Sequence, residues 1–338
     1  MRATILHKVG TIRCDEVSEP EITKPTDALV RLSATCVCGS DLWPYRGIQP
    51  VTQPTPMGHE YCGIVEAVGR AVTTIRPGQF VVGSFAASCG KCAACAIGYY
   101  SGCYEREFFS TAQAELVRVP WADGTLVATK ELPDASLIPS LLAASDVLGT
   151  GWFAADAAEV KPGKTAVVVG DGAVGLLAIL SAKQMGAERI IAMSGHPSRQ
   201  KLALEFGATD IVPERGDEGV ARIVDLTKGI GADSVMECVG TQESMSQALR
   251  ATRRGGHMSY VGVPHGVSFD GFELFFSHAH LHGGPAPVRR YLPNLIQLVL
   301  EGKINPGKVF DLVLPLDQVA EGYRAMDERR AIKALLLP

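Results

Sequence analysis

The 338-residue chain lacks the features that would direct it to a membrane or a nucleic acid. Its N-terminus, MRATILHKVG, has no apolar core of a signal peptide, and no apolar run approaches the roughly 18 residues that span a bilayer. The formal net charge is only −4, and lysine and arginine are scattered rather than clustered. We therefore expect a cytoplasmic protein that binds neither nucleic acid nor a membrane.

The chain also lacks the cysteine pattern of a disulfide framework. It has nine cysteines, an odd number, and several of them are grouped in one short segment. In a reducing compartment, grouped thiols are interpreted first as metal ligands.

The sequence has two parts that differ in the pattern of their apolar residues. Up to about residue 120, short alternating runs such as ALVRLSAT and QFVVGSF, separated by glycine and proline, predict antiparallel strands. From Lys164 onward, apolar runs alternate with helical segments, which predicts an α/β domain with a Rossmann-type, doubly wound parallel sheet. We expect residues 147–284 to form this domain, residues 1–146 and 285–338 to form the other, and linkers at 146–156 and 283–288.

A glycine-rich loop follows the first apolar strand of the second domain. Six residues occupy the GxGxxG positions between that strand and an apolar helix: Gly170, Asp171, Gly172, Ala173, Val174 and Gly175. Glycines there permit a tight turn and close approach to a pyrophosphate, which the N-terminus of the helix attracts. The context predicts dinucleotide binding; the alternative is a glycine-rich turn that serves packing alone.

The residue that ends the second strand discriminates between the two nicotinamide cofactors. A carboxylate there would bind the ribose 2′-hydroxyl of NAD, but this chain has Ser194, followed by His196 and Arg199. The small serine leaves space for a 2′-phosphate, and its basic neighbours supply charge or hydrogen bonds to it, which favours NADP over NAD. The alternative is that Arg199 is an ordinary solvated helix residue.

Four cysteines form a compact cluster in the first domain: Cys89, Cys92, Cys95 and Cys103. Four thiolates satisfy a tetrahedral zinc and leave no open coordination position, which is typical of a structural site. The alternative is a set of unligated or oxidised cysteines.

Two further motifs contain residue types that bind a catalytic metal. Cys38-Gly39-Ser40-Asp41 follows one strand, and Gly58-His59-Glu60 precedes the next. A thiol, an imidazole and a carboxylate leave zinc an open position for a substrate oxygen. Taken alone, however, a buried cysteine usually packs as a small apolar side chain, and a lone histidine is usually a hydrogen-bonding group with its partners in place.

These two motifs, then the four-cysteine lobe and then the dinucleotide loop, in this order and spacing, resemble the medium-chain zinc-dependent alcohol dehydrogenase family. The resemblance covers essentially the whole chain and implies a mainly antiparallel, GroES-like catalytic domain beside the Rossmann domain. It implies that Cys38, His59 and Asp146 bind a catalytic zinc. Glu60 matches a carboxylate that enters the coordination sphere; the alternatives are a hydrogen-bonding partner of the ligands or a surface ion pair. Asp41 matches the carboxylate that orients the zinc-binding histidine.

The resemblance also suggests how a proton leaves the site. Ser40 matches a hydroxyl that takes the alcohol proton, but several family members continue the relay with a histidine where this chain has Trp43. The proton would then leave through the cofactor ribose and water, or through another group. Trp43 is expected to line the substrate pocket or to pack as a buried structural residue. Lys333 matches a basic residue on the cofactor pyrophosphate; the alternative is a solvated lysine.

The leading hypothesis is a zinc-dependent oxidoreductase that transfers hydride between a small primary or secondary alcohol and NADP, giving an aldehyde or ketone. It would contain two zinc ions per chain and assemble as a homodimer or homotetramer. One alternative is a polyol or threonine-type dehydrogenase of the same superfamily. Others are a non-catalytic, crystallin-type NADP-binding protein and a zinc-free quinone or enoyl reductase, which retention of the zinc-ligand residues disfavours.

Overall fold

The computed structural model describes every residue from Met1 to Pro338, and the chain divides into two compact units. Unit 1 comprises Met1–Gly149 and Pro287–Pro338, and unit 2 comprises Thr150–Ala286. The boundaries lie within a few residues of the positions 146 and 285 expected from the sequence.

The elements follow each other in three segments. The first contains β1 (Arg2–Lys8), β2 (Thr11–Glu16), β3 (Ala28–Cys36), α1 (Leu42–Tyr45), β4 (Thr55–Pro56), β5 (Tyr61–Val68), β6 (Phe80–Gly83), β7 (Ala86–Ala87), α2 (Ala93–Ala96), β8 (Glu107–Phe108), β9 (Leu116–Val119), α3 (Ala122–Thr125), β10 (Leu126–Ala128), α4 (Ile138–Ala144) and α5 (Val147–Ala157). The second contains β11 (Thr165–Val169), α6 (Ala173–Gln184), β12 (Arg189–Met193), α7 (Pro197–Phe206), β13 (Asp210–Val212), α8 (Gly216–Leu226), β14 (Ala232–Glu237), α9 (Gln242–Ala251), β15 (Thr252–Tyr260), α10 (Gly271–Ser277) and β16 (His280–Gly283). The third contains α11 (Val288–Leu300), β17 (Leu312–Pro315), α12 (Val319–Asp327) and β18 (Ala334–Leu337).

Unit 1 contains three mainly antiparallel sheets, of which one is only the two-stranded pair β7-β8. The three-stranded sheet has the order β2-β1-β4, and the largest has the order β10-β6-β5-β3-β18-β17, with β9 also pairing with β3. Strand β3 alternates buried Ala28, Val30 and Leu32 with the more exposed Arg31, the period-two pattern of a strand with one face on a core. The C-terminal strand β18 pairs with the end of β3, so the tail returns to the first domain as expected.

Unit 2 is a six-stranded parallel sheet with the order β13-β12-β11-β14-β15-β16. Its central strand β11 is almost entirely buried, because helices cover both faces of such a sheet. The predicted fold class, a doubly wound parallel sheet with a mainly antiparallel β domain, is confirmed.

The boundary between the units falls inside the predicted linker at 146–156, but this segment is not an irregular connection. The segment after Asp146 forms helix α5, because Leu148 and Phe153 bury apolar side chains that a flexible connection would expose. By contrast, the chain at 284–287 has no regular structure.

No single helix of the chain is long and apolar enough to cross a membrane, although Ala135–Ala144 and Val147–Ala157 pass that test of length and composition as a bent pair.

Candidate functional site

The glycine-rich loop lies where the sequence predicts it, between β11 and α6 in unit 2. Gly170 has φ = +119°, and helix α6 begins at Ala173. A Cβ atom on Gly175 would lie 2.0 Å from the carbonyl oxygen of Gly170, so only glycine allows this approach of helix to strand. The loop and the N-terminus of a twelve-residue helix therefore form the geometry that receives a pyrophosphate.

An acid that sequence reasoning missed lies next to the cofactor-discriminating residues. The hydroxyl of Ser194 donates to Asp171 Oδ2 at 3.0 Å, and the Arg199 guanidinium lies 3.4 Å from Asp171 Oδ1. Arg199 is only 13% exposed, so the alternative of a solvated helix residue is wrong. His196 is the N-cap of α7, but its side chain does not cap that helix. The signal for this acid in the sequence is the aspartate between the first two glycines of the loop, rather than a residue at the end of β12.

The four predicted thiol ligands converge in unit 1. The sulfur of Cys103 lies 3.5 Å from that of Cys89 and 3.8 Å from that of Cys92, which is itself 3.5 Å from Cys95. Backbone N–H groups of Cys95 and Tyr104 lower the pKa of Cys92 to about 6, which favours the thiolate that binds metal. All four sulfurs lie within 4.8 Å of one another, so this cluster fits a tetrahedral zinc.

A second cluster unites the predicted catalytic ligands, although they come from three separate parts of the chain. Cys38 follows β3, His59 and Glu60 precede β5, and Asp146 lies between α4 and α5. One potential ligand atom from each lies within 4.8 Å of the others. Nε2 of His59 is 3.3 Å from Asp146 Oδ2 and 4.0 Å from Glu60 Oε1. Sulfur, imidazole and carboxylate atoms this close together form a donor set that suits zinc.

The electrostatics of this second cluster also fit a cation. Burial by itself lowers the pKa of His59, but the negative charges of Asp41 and Cys38 and the contact with Asp146 raise it well above the usual value. Oε2 of Glu60 is buried and has no hydrogen-bond partner. An excess of buried negative charge and an unsatisfied carboxylate oxygen are what a bound divalent ion would neutralise.

Asp41 is placed to orient His59. Its Oδ1 lies 3.3 Å from Nδ1 of His59, and its Oδ2 accepts the backbone N–H of Cys38 at 3.0 Å. Sequence reasoning missed a further contact, because Gln113 donates from Nε2 to the same Oδ2 at 3.1 Å. Gln113 belongs to no recognised motif, and only the fold brings it to the site.

Lys333 is paired with Glu60 inside unit 1. Its ammonium donates to Glu60 Oε1 at 2.6 Å and to the carbonyl oxygen of Val37 at 3.1 Å. Burial alone would lower the pKa of Lys333, but the charges of Cys36 and Glu60 raise it well above the usual value, so the ammonium form persists. Lys333 is 1% exposed and Glu60 is fully buried, so the alternatives of a solvated lysine and a surface ion pair are both wrong. The contact of Lys333 with a pyrophosphate stays a prediction.

Ser40 and Trp43 lie beside the ligand loop. Both are half-buried, and the backbone N–H of Trp43 donates to the carbonyl oxygen of Ser40 at 3.2 Å at the start of α1. Their roles in proton transfer and in the substrate pocket stay predictions.

Comparison with known proteins identifies both units. The model of the alcohol dehydrogenase GroES-like domain matches residues 24–131, and that of the zinc-binding dehydrogenase domain matches residues 173–301. A zinc-type alcohol dehydrogenase B from Aspergillus flavus is 33% identical over 99% of this chain and 81% of its own length. A probable zinc-binding alcohol dehydrogenase from Mycobacterium tuberculosis is 35% identical over 96% of this chain and 84% of its own.

The same likeness extends to three dimensions. The structure of alcohol dehydrogenase TADH from a Thermus species superimposes with a TM-score of 0.92 and 32% identity, covering 100% of this chain and 99% of that one. With both domain models matched and relatives at 33% and 35% identity covered over more than four fifths of their length, the chain belongs to the medium-chain, zinc-type alcohol dehydrogenase family.

Proposed function

We propose that the protein catalyses reversible hydride transfer between a small primary or secondary alcohol and NADP, giving an aldehyde or ketone, with two zinc ions per chain. The observation that carries the proposal is the buried cluster of Cys38, His59, Glu60 and Asp146, whose ligand atoms lie within 4.8 Å of one another. Its mixed donors suit a catalytic zinc, whereas the four-cysteine cluster suits a structural one.

The residues around the cluster have separate tasks in this proposal. When bound, zinc supplies a Lewis acid that lowers the pKa of an alcohol hydroxyl. Asp41 accepts from Nδ1 of His59 and so leaves Nε2 free as a ligand atom. Lys333 donates to Oε1 of Glu60, which lies 4.0 Å from Nε2 of His59, and so keeps this carboxylate charged beside the ligand cluster. Ser40 takes the alcohol proton, and Trp43 provides an apolar wall for the substrate.

The cofactor loop supports binding of a nicotinamide dinucleotide at the carboxyl end of the unit 2 sheet. Ser194 and Arg199 favour NADP, because a small hydroxyl and a guanidinium suit a 2′-phosphate. Asp171 favours the alternative, NAD, because its carboxylate lies against both residues and would repel that phosphate.

A polyol or threonine-type dehydrogenase is the second candidate within the family. Such substrates are polar and would need polar side chains that converge on the metal, whereas Trp43 places an aromatic residue close to the ligand loop. Trp43 therefore favours a substrate with an apolar face.

Metal analysis combined with an alcohol panel tests the proposal. The purified protein should contain about two zinc ions per chain, and chelation should abolish alcohol-dependent reduction of NADP or NAD. A single bound zinc, with activity that survives chelation, would remove the zinc mechanism. Faster turnover of polyols or threonine than of simple alcohols would favour the second candidate.

We also propose a homodimer or homotetramer. In unit 2, α10 exposes Phe272, Phe275 and Phe276 by 76%, 74% and 51%, and β16, which follows it, is an edge strand. Exposed aromatic clusters and unpaired strand edges are typical of protein interfaces. Light scattering of the purified protein tests the assembly, and a monomer would contradict it.

A further inference from the structure

A buried chain of hydrogen bonds leads away from the zinc-binding histidine. Oδ2 of Asp41 accepts from Nε2 of Gln113 at 3.1 Å, and Oε1 of Gln113 accepts from the hydroxyl of Tyr323 at 3.2 Å. Gln113 and Tyr323 are both fully buried, and Tyr323 comes from α12, near the end of the chain. We call this set the Asp41–Gln113–Tyr323 chain.

Its bonds fix which way the amide of Gln113 faces. Nε2 of Gln113 also donates to the carbonyl oxygen of Cys36 at 3.0 Å, and a carbonyl can only accept. The NH₂ group must therefore face Cys36 and Asp41, and the amide oxygen must face Tyr323, whose hydroxyl then donates. Reversal of the amide would turn its oxygen toward two buried acceptors, the carbonyl oxygen of Cys36 and Oδ2 of Asp41.

The orientation of the amide determines the role of Asp41. A carboxylate that receives hydrogen bonds from Gln113 Nε2 and from the backbone N–H of Cys38 is stabilised as an acceptor. Its other oxygen, 3.3 Å from Nδ1 of His59, then accepts the proton on that nitrogen. The lone pair of His59 is thereby left on Nε2, which faces Asp146 in the ligand cluster.

The backbone holds Gln113 firmly in this position. Its N–H donates to the carbonyl oxygen of Met57 at 3.0 Å, and its own carbonyl oxygen accepts from Thr4 at 2.8 Å. Gly58, immediately before His59, has φ = +96°, and a Cβ there would lie 2.4 Å from Cγ of Gln113. The segment before His59 is therefore shaped to pack directly against this glutamine.

We propose that Gln113, oriented by the hydroxyl of Tyr323, is a positioning residue that holds Asp41 as the acceptor for His59 and so tunes the affinity and geometry of the catalytic metal site. The inference rests on the proposed zinc at that site. Neither residue contacts substrate or cofactor in this role.

Metal binding rather than turnover provides the test. The holoenzyme and its Gln113→Met and Tyr323→Phe variants are titrated with a competing chelator, and the catalytic zinc is then exchanged for Co²⁺ for visible spectroscopy. Loss of an outer hydrogen-bonding partner typically weakens a metal site about 10- to 100-fold. We expect roughly tenfold weaker binding at the catalytic site in Gln113→Met, a smaller loss in Tyr323→Phe, and shifted Co²⁺ bands in both. The four-cysteine site should be unchanged and serves as the internal reference.

Tyr61→Phe is the matched control, because the hydroxyl of Tyr61 is buried and has no hydrogen-bond partner. It should leave both affinities and the Co²⁺ spectrum unchanged. Wild-type affinity and spectrum in both test variants, or an equal loss in Tyr61→Phe, would overturn the inference. If Gln113→Met does not fold, Tyr323→Phe alone decides, since it removes only one oxygen. Failure of the proposed function is distinguishable, because the wild-type protein would then bind metal at the four-cysteine site alone.

Discussion

Replacement of Asp171 by asparagine is expected to shift the cofactor preference toward NADP. Asp171 lies in the glycine-rich loop, 3.0 Å from the hydroxyl of Ser194 and 3.4 Å from the guanidinium of Arg199. Both partners lie where the 2′ substituent of the adenosine ribose is expected. In the native chain the carboxylate neutralises Arg199 and opposes a second negative charge.

The size of the shift follows from the burial of this pair. Asp171 is 9% and Arg199 13% exposed, so water screens them only partly. Two unit charges about 4 Å apart interact by about 1 kcal/mol in water and by about 4 kcal/mol at an effective dielectric constant of about 20. Since about 1.4 kcal/mol is a factor of ten, removal of the carboxylate should raise the ratio of kcat/KM for NADP to that for NAD at least about tenfold.

Steady-state kinetics with each cofactor at a fixed alcohol concentration measures this ratio. Asp233→Asn is the matched control, because Asp233 also pairs with an arginine of unit 2, Arg253, but contacts the start of β11 and not the loop at its end. The control should leave the ratio unchanged. If Asp171→Asn leaves the ratio as it is, or lowers it, Asp171 does not discriminate between the cofactors and the electrostatic reasoning fails.

Three further predictions concern the metal site and stability. Cys38→Ala should lose one of two zinc ions and all turnover while still binding the dinucleotide, as measured by metal analysis and fluorescence titration; retained turnover would exclude Cys38 as a ligand. Gly58→Ala should lower the free energy of unfolding by at least about 2 kcal/mol, because its Cβ would collide with Gln113 at positive φ; an unchanged denaturation midpoint would contradict this. The bonds from Arg189 lower the pKa of Asp210, so their stabilisation is present above the unfolded pKa of about 3.9 and is lost as the pH falls through the lower folded value. Asp210→Asn should therefore cost about 1 kcal/mol at neutral pH and progressively less as the pH falls below about 3.9, and a cost that does not change with acidification would refute the linkage.

The sequence predicted local features better than those assembled from distant segments. The four thiols lie within one short stretch of chain, so their spacing alone indicates a metal site. Cys38, His59 and Asp146 lie in three separate connections of the chain, and only the family resemblance grouped them before the structure did. The segment at 146–156 was expected only as a linker, and its helical structure was not predicted, because the tertiary burial of its apolar side chains decides it.

The Lys333–Glu60 pair shows why buried charge escapes prediction from a single sequence. Each residue type taken alone is almost always on the surface, so both were given a solvated alternative. Lys333 comes directly before β18, and the pairing of β18 with β3 brings its ammonium to the carbonyl oxygen of Val37. Glu60 comes directly before β5, which pairs with the other edge of β3. A lysine or glutamate buried without its partner would destabilise the fold by several kcal/mol, so each charge is tolerated only because the sheet delivers the other. The pair is thus a property of strand register rather than of local sequence. The same register carries Cys38 and Glu60 to one place, so the elements that enclose the charge also assemble the ligands.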